Sequence, residues 1–152
     1  MTRSKTPEPS AALADPLANL LGYHVRRLSV RVMADLARSL APLGLNPADA
    51  SVLLMIDANP RITQSEVGKA IGVLRANMAP LVGALAERGL VEREPVDGRS
   101  NALRLSVQGA AACREVAALI LAHEDRLFGA LAASSRSRLL QELRSLWQAP
   151  TD

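Results

Sequence analysis

The sequence predicts a mostly α-helical fold carrying one small β-hairpin, and three observations lead there. Of the 152 residues, 26 are Ala and 25 are Leu, good helix formers, whereas Tyr23, Phe128 and Trp147 are the only aromatics. Apolar residues recur at three- and four-residue steps along most of the chain, the period of a helix with one buried face. One stretch breaks that period. Between Leu90 and Leu105 apolar and charged residues alternate around the turn-forming Pro95-Val-Asp-Gly-Arg-Ser100.

In order, residues 1–14 read as a flexible tail, polar and holding Arg3, Lys5, Pro7 and Pro9. A long helix is expected from Pro16, with Leu17, Leu20, Leu21, Val25, Leu28, Val32, Leu36 and Leu40 as its apolar stripe, ended by Pro42 and Gly44. Asn46-Pro47 reads as a cap with Pro at the first helical position. It opens a short helix with Val52, Leu53 and Ile56 inward that stops near Asn59-Pro60. Thr63-Gln-Ser-Glu66 is a capping box, in which hydroxyl and carboxylate each satisfy an orphaned backbone donor. Its helix turns Val67, Ala70 and Ile71 inward and ends at Gly72. The next begins around Leu74, buries Met78, Leu81, Val82 and Leu85, and stops at Gly89. After a hairpin with a tip of about six residues, Ser106 caps a final long helix striped by Val107, Ala110, Ala117, Ile120, Leu121, Leu127 and Leu131. Ser134 or Ser135 then caps a last short helix with Leu139, Leu140, Leu143, Leu146 and Trp147.

The net charge is a modest +3, but 16 of the 18 cations are Arg, the side chain that forks best onto phosphates and base edges. A high-GC genome also enriches Arg and Ala, so composition alone leaves nucleic-acid binding open. A polar N-terminus and the lack of a membrane-length apolar run point to a cytoplasmic protein with no membrane partner. The lone Cys113 reads as a small buried apolar residue. Two His and one Cys without ligand spacing argue against a metal. There is no nucleophile–base–orienter set and no Gly-rich phosphate loop, so neither an enzyme nor a cofactor is expected.

Two short helices joined by a tight turn and followed by a hairpin make a winged helix-turn-helix. The second helix suits the major groove, and an Arg at the hairpin tip suits the minor groove. Arg75, Asn77 and Arg99 stand where such contacts are made.

At these residues the sequence resembles the MarR family of bacterial regulators. The resemblance is carried by Leu43-Gly-Leu-Asn-Pro47, Thr63-Gln-Ser-Glu-Val-Gly-Lys-Ala-Ile-Gly72 and Leu85-Ala-Glu-Arg-Gly-Leu-Val-Glu-Arg93. The wing Asp97-Gly-Arg-Ser-Asn-Ala-Leu-Arg-Leu-Ser-Val-Gln-Gly109 completes it, with Ser106 where the family pattern has Thr. It implies a triangular homodimer on double-stranded, pseudo-palindromic operator DNA, repressing or activating, and released by a small-molecule effector such as a phenolic, an aromatic acid or an acyl thioester. Residues 15–46 would form an N-terminal dimerisation helix, 47–105 the winged helix-turn-helix domain, and 106–150 the C-terminal dimerisation helices.

The resemblance further implies that Asp97 holds Arg99, that Arg99 enters the minor groove, and that Thr63, Gln64 and Ser65 help grip phosphates. His24 and His123 fall on the two long helices expected to frame a ligand cleft, and Tyr23 and Arg27, one turn apart, could meet an aromatic or acidic ligand. Plain packing is the competing reading of all four. The sequence departs from the family at Pro80, expected to kink or loosen the recognition helix, and at Gly83 and Ala84, where many relatives look more polar. A winged helix serving as an architectural or protein-interaction module, without an effector, is the alternative function.

Overall fold

The computed structural model describes residues 14–97 and 100–148, the side chains of 96, 97 and 100 excepted. Among these residues six α-helices, one short 3-10 helix (Ala41–Leu43) and one hairpin are formed: α1 (Leu21–Leu40), α2 (Pro47–Ala58), α3 (Gln64–Ile71), α4 (Arg75–Glu87), β1 (Val91–Asp97), β2 (Ser100–Leu105), α5 (Val107–Phe128) and α6 (Ala133–Gln148). The mostly helical class with a hairpin wing is what the sequence predicts. Among the described residues no single helix is long and apolar enough to cross a membrane.

The expected caps set the starts of α2 and α3. Asn46 accepts from the Ala48 and Asp49 amides while Asp49 accepts back from the Asn46 amide at 2.9 Å. Thr63 and Glu66 make the same reciprocal pair. Gly72 then ends α3 in the left-handed region at φ 69°, a conformation that costs a side-chain-bearing residue energy.

Several boundaries and faces differ from expectation. α1 starts at Leu21, not Pro16. Residues 16–19 form a turn, held by the Asp15 carboxylate accepting from the Leu17 amide at 2.9 Å. The hairpin pairs as far as Asp97 with Ser100, through an irregularity between Pro95 and Asp97, so its tip is shorter than six residues. α6 begins two or three residues early, its Arg136 amide bonding the Ala132 carbonyl, which puts Ser134 and Ser135 inside the first turn rather than at the cap. α4 runs without a break from Arg75 to Glu87 through Pro80, because Met78, Val82 and Leu85 bury on both sides of it. Ala70 is exposed on α3. The inward face of α5 is Gly109, Cys113, Val116 and His123, whereas Val107 and Leu121 face solvent.

The core lies where α2, α3, α4, the hairpin and the first half of α5 converge. Val52, Leu53, Val67, Met78, Val82, Leu85, Leu103 and Val116 are almost wholly removed from water. Two glycines permit the approach. A Cβ on Gly109 would fall 1.8 Å from the Leu90 carbonyl oxygen, and one on Gly68 would fall 2.7 Å from Met78 Cγ. The segment before α3 joins the hairpin edge: the Leu103 amide donates to the Ile62 carbonyl at 2.8 Å, and Thr63 bridges Ala102. This tie sets the wing against the N-terminus of α3.

Outside that core the picture changes. α6 contributes no buried residue and α1 contributes Leu40 alone. Leu17, Leu20, Leu21, Val25 and Leu28 at one end, with Leu139, Leu140, Leu143, Leu146 and Trp147 at the other, are exposed.

Candidate nucleic-acid interface

A groove of about 510 Å³ lies between α3, the start of α4 and the hairpin. Its walls carry Thr63, Gln64 and Ser65 from the first turn of α3, Arg75 from the first turn of α4, and Arg93 and Asn101 from the two strands. Lys69 adds a third cation. Val73, Leu74, Met78 and Leu103 supply the apolar part of the lining, and of these Leu74 alone is exposed.

The sequence reading places Arg75 and Asn77 at the start of the recognition helix, and both are exposed there, ahead of Pro80. The Thr63 hydroxyl accepts from the Glu66 amide at 3.3 Å and donates to the Glu66 carboxylate at 2.7 Å. Its proton is therefore committed within the capping box. The Thr63 amide and hydroxyl hold the Glu66 carboxyl below the usual carboxylate range. Arg99 and the side chain of Asp97 lie outside the described residues.

Lys69, Arg93 and Asn101 are groove residues that the sequence reading does not single out. Strand alternation around Glu92, Arg93 and Glu94 was the available signal, since it puts Arg93 on the opposite face from its acidic neighbours. Glu92 meets Arg104 at 2.5 Å across the ladder. Cross-strand pairing thus neutralises a carboxylate that would repel a polyanion.

A second cluster lies on α1. The Arg27 guanidinium donates to the Tyr23 hydroxyl at 3.2 Å and its carbon stands 5.5 Å from the Tyr23 ring centre. The His24 ring meets the Tyr23 ring edge-on at 5.5 Å, and its Nε2 donates to the Ala18 carbonyl at 2.7 Å. Tyr23, His24 and Arg27 are therefore brought together.

His123 is not with them. It is buried between α5 and α1, where Nε2 donates to the Val32 carbonyl at 3.2 Å, about 13 Å of helical rise from Tyr23. Asp35 lies 3.6 Å from the same nitrogen and pairs with Arg126 and Arg38. The Arg126 guanidinium holds the Asp35 carboxyl below its ordinary range; partial burial works against this and Arg38 adds to it. Cys113 is buried, and that burial pushes its thiol up, so it stays protonated in the core as expected.

Comparison with known proteins adds four findings. A family model described as MarR family matches residues 43–100, which include the groove's lining from α3, α4 and β1. Among solved structures, the transcriptional repressor CouR bound to a 23-mer DNA duplex is 38% identical, covering 91% of this chain and 100% of its own, with a TM-score of 0.84. CouR bound to p-coumaroyl-CoA is 35% identical over 92% of this chain and 100% of its own, with a TM-score of 0.81. An HTH-type transcriptional repressor of Mycobacterium tuberculosis is 26% identical over 130 residues, 82% of this chain and 94% of the relative.

Proposed function

Because the chain belongs to the MarR family of transcriptional regulators, we propose that it is a repressor that binds a pseudo-palindromic operator as a homodimer and releases it on binding an aromatic acid or acyl thioester. The groove carries this reading. It sets the first turn of one helix and the base of a β-wing around a common cleft lined by Arg75, Arg93 and Lys69. That is the shape and charge for a helix in the major groove with a wing on the flanking backbone.

Roles follow from chemistry. Arg75 can fork onto guanine O6 and N7, and Asn77 onto adenine N7 and N6. Gln64 and Ser65, at the N-terminus of α3, offer amides and side chains to phosphate. Arg99, steadied by Asp97, would reach the minor groove, where readout extends little beyond A·T against G·C and groove width. The exposed apolar faces of α1 and α6 would close the dimer.

The CouR complex with p-coumaroyl-CoA makes a bulky aromatic thioester a good first effector to try, and Tyr23 with Arg27 pairs a ring with a cation for such a ligand. The effector must bind the DNA-incompetent state more tightly than the competent one. The reading needs binding and release and no chemical turnover.

The test is selection of bound sequences from random duplexes, followed by titration of p-coumaroyl-CoA and of the free acid against the selected operator. The expected result is an inverted repeat, affinity that falls steeply with salt, and reciprocal weakening of DNA and effector. Recovery of no motif overturns the reading.

A further inference from the structure

We propose that Leu74 reads the 5-methyl group of a thymine in each half-site, a contact separate from the hydrogen bonds assigned to Arg75 and Asn77. The inference rests on the DNA-binding reading of the groove and deepens it.

Leu74 is the N-cap of α4, with backbone at φ −58° and ψ 139° and no side-chain cap bond. Such positions favour Ser, Thr, Asp or Asn, whose oxygen satisfies one of the free amides of the first turn. The same chain uses that device at Asn46, Thr63 and Ser106, the caps of α2, α3 and α5. At α4 it forgoes the cap and puts an isobutyl group there instead.

That group has no place in the core. Leu74 is 74% exposed, and among the described side chains from Pro47 to Leu105 it is the only large apolar one left in solvent. The other exposed apolar side chains belong to α1, α5, α6 and the short segments flanking α1 and α6. Leu74 therefore lies off the surfaces assigned to dimerisation. It lines the groove beside Ser65, Lys69, Arg75 and Asn101, an apolar group among polar and cationic neighbours.

A duplex offers one apolar partner to a helix entering the major groove. The C5-methyl of thymine is the one alkyl group that the base edges present in the major groove. A leucine at the tip of the entering helix, next to an arginine that can fork onto guanine, suits a step containing thymine.

The experiment takes the selected operator and replaces each thymine in turn by deoxyuridine, which keeps every hydrogen-bonding group and lacks the methyl. The wild type should show one thymine per half-site where the replacement weakens binding by about fourfold, the loss of one buried methyl. In Leu74→Ser the penalty at that thymine should vanish, and thermal unfolding should show a fold at least as stable because serine restores the cap. Leu74→Met, which keeps an apolar reach, should retain the penalty. A wild type indifferent to deoxyuridine everywhere, or a Leu74→Ser protein with the penalty intact, overturns the proposal. Recovery of no operator by the wild type overturns the DNA-binding reading, and this inference with it.

Discussion

The segment from α2 to β2 and the helical arms α1 and α6 are both rich in Leu, yet they bury it very differently. In α2, Val52, Leu53 and Ile56 are sealed against α4, the hairpin and α5. In α6, five large apolar side chains stand in water, and no residue of the helix is buried. Apolar surface removed from water stabilises by about 25 cal/mol per Å², so the lobe holds its own fold and the arms leave theirs unclaimed. Exposed patches of this extent mark an interface. The comparison teaches that stability and assembly are written on separate elements and should fail separately.

The largest expected effect comes from breaking the arms. Leu140→Asp with Leu143→Asp should turn the dimer into a monomer in sedimentation and weaken operator binding on the order of 10²–10⁴-fold, the loss of bivalency. The lobe should still melt cooperatively. A dimer that survives both charges would show that α6 covers something else.

Next is the lobe itself. Leu53→Ala should cost roughly 2–5 kcal/mol of unfolding free energy in denaturant titration, because the site is enclosed and leaves a cavity. Dimerisation of the protein that remains folded should be unchanged. A cost below about 1 kcal/mol would mean the core repacks far more readily than its burial suggests.

Smaller again is Arg75→Ala, exposed and without a core role. It should lower operator affinity by roughly 1–3 kcal/mol and relax preference at one position per half-site, with thermal stability unmoved. Unaltered selection by this variant would remove α4 from base reading.

Thr63→Ala should cost about 1 kcal/mol of stability by removing the α3 cap. The least effect is expected at Asp35, where α1 meets α5. Its carboxyl is held below the usual carboxylate range by Arg126 and Arg38, so the ion pairs contribute their full stability above that range and lose it as pH falls through the lower folded value. Unfolding temperature measured from pH 6 to pH 2.5 should therefore drop less in Asp35→Asn than in wild type. Parallel curves would show that the pairs contribute nothing to folding.

Legibility in the sequence followed the range of the forces involved. Asn46, Thr63, Gly72 and Ser106 act on backbone groups within four residues, and each does what its position predicts. Arg75 and Asn77 were legible because the turn before them is local. Lys69, Arg93 and Leu74 became groove residues only when the Ile62–Leu103 bond drew the hairpin onto α3. No periodicity in one element reports what another element brings beside it.

By itself, then, the sequence determined the order of the elements, the caps of α2, α3 and α5 and the hairpin, because helix and strand periods, turn residues and capping bonds are satisfied within a few positions. Tertiary structure decided which face of α5 turns inward. An Ala-rich helix has several nearly equivalent apolar stripes, and the choice went to the one where Gly109 lets Leu90 approach and His123 finds the Val32 carbonyl. It also separated His123 from Tyr23, His24 and Arg27, since a buried imidazole needs a partner for its N–H and α1 supplied one two turns away from the others.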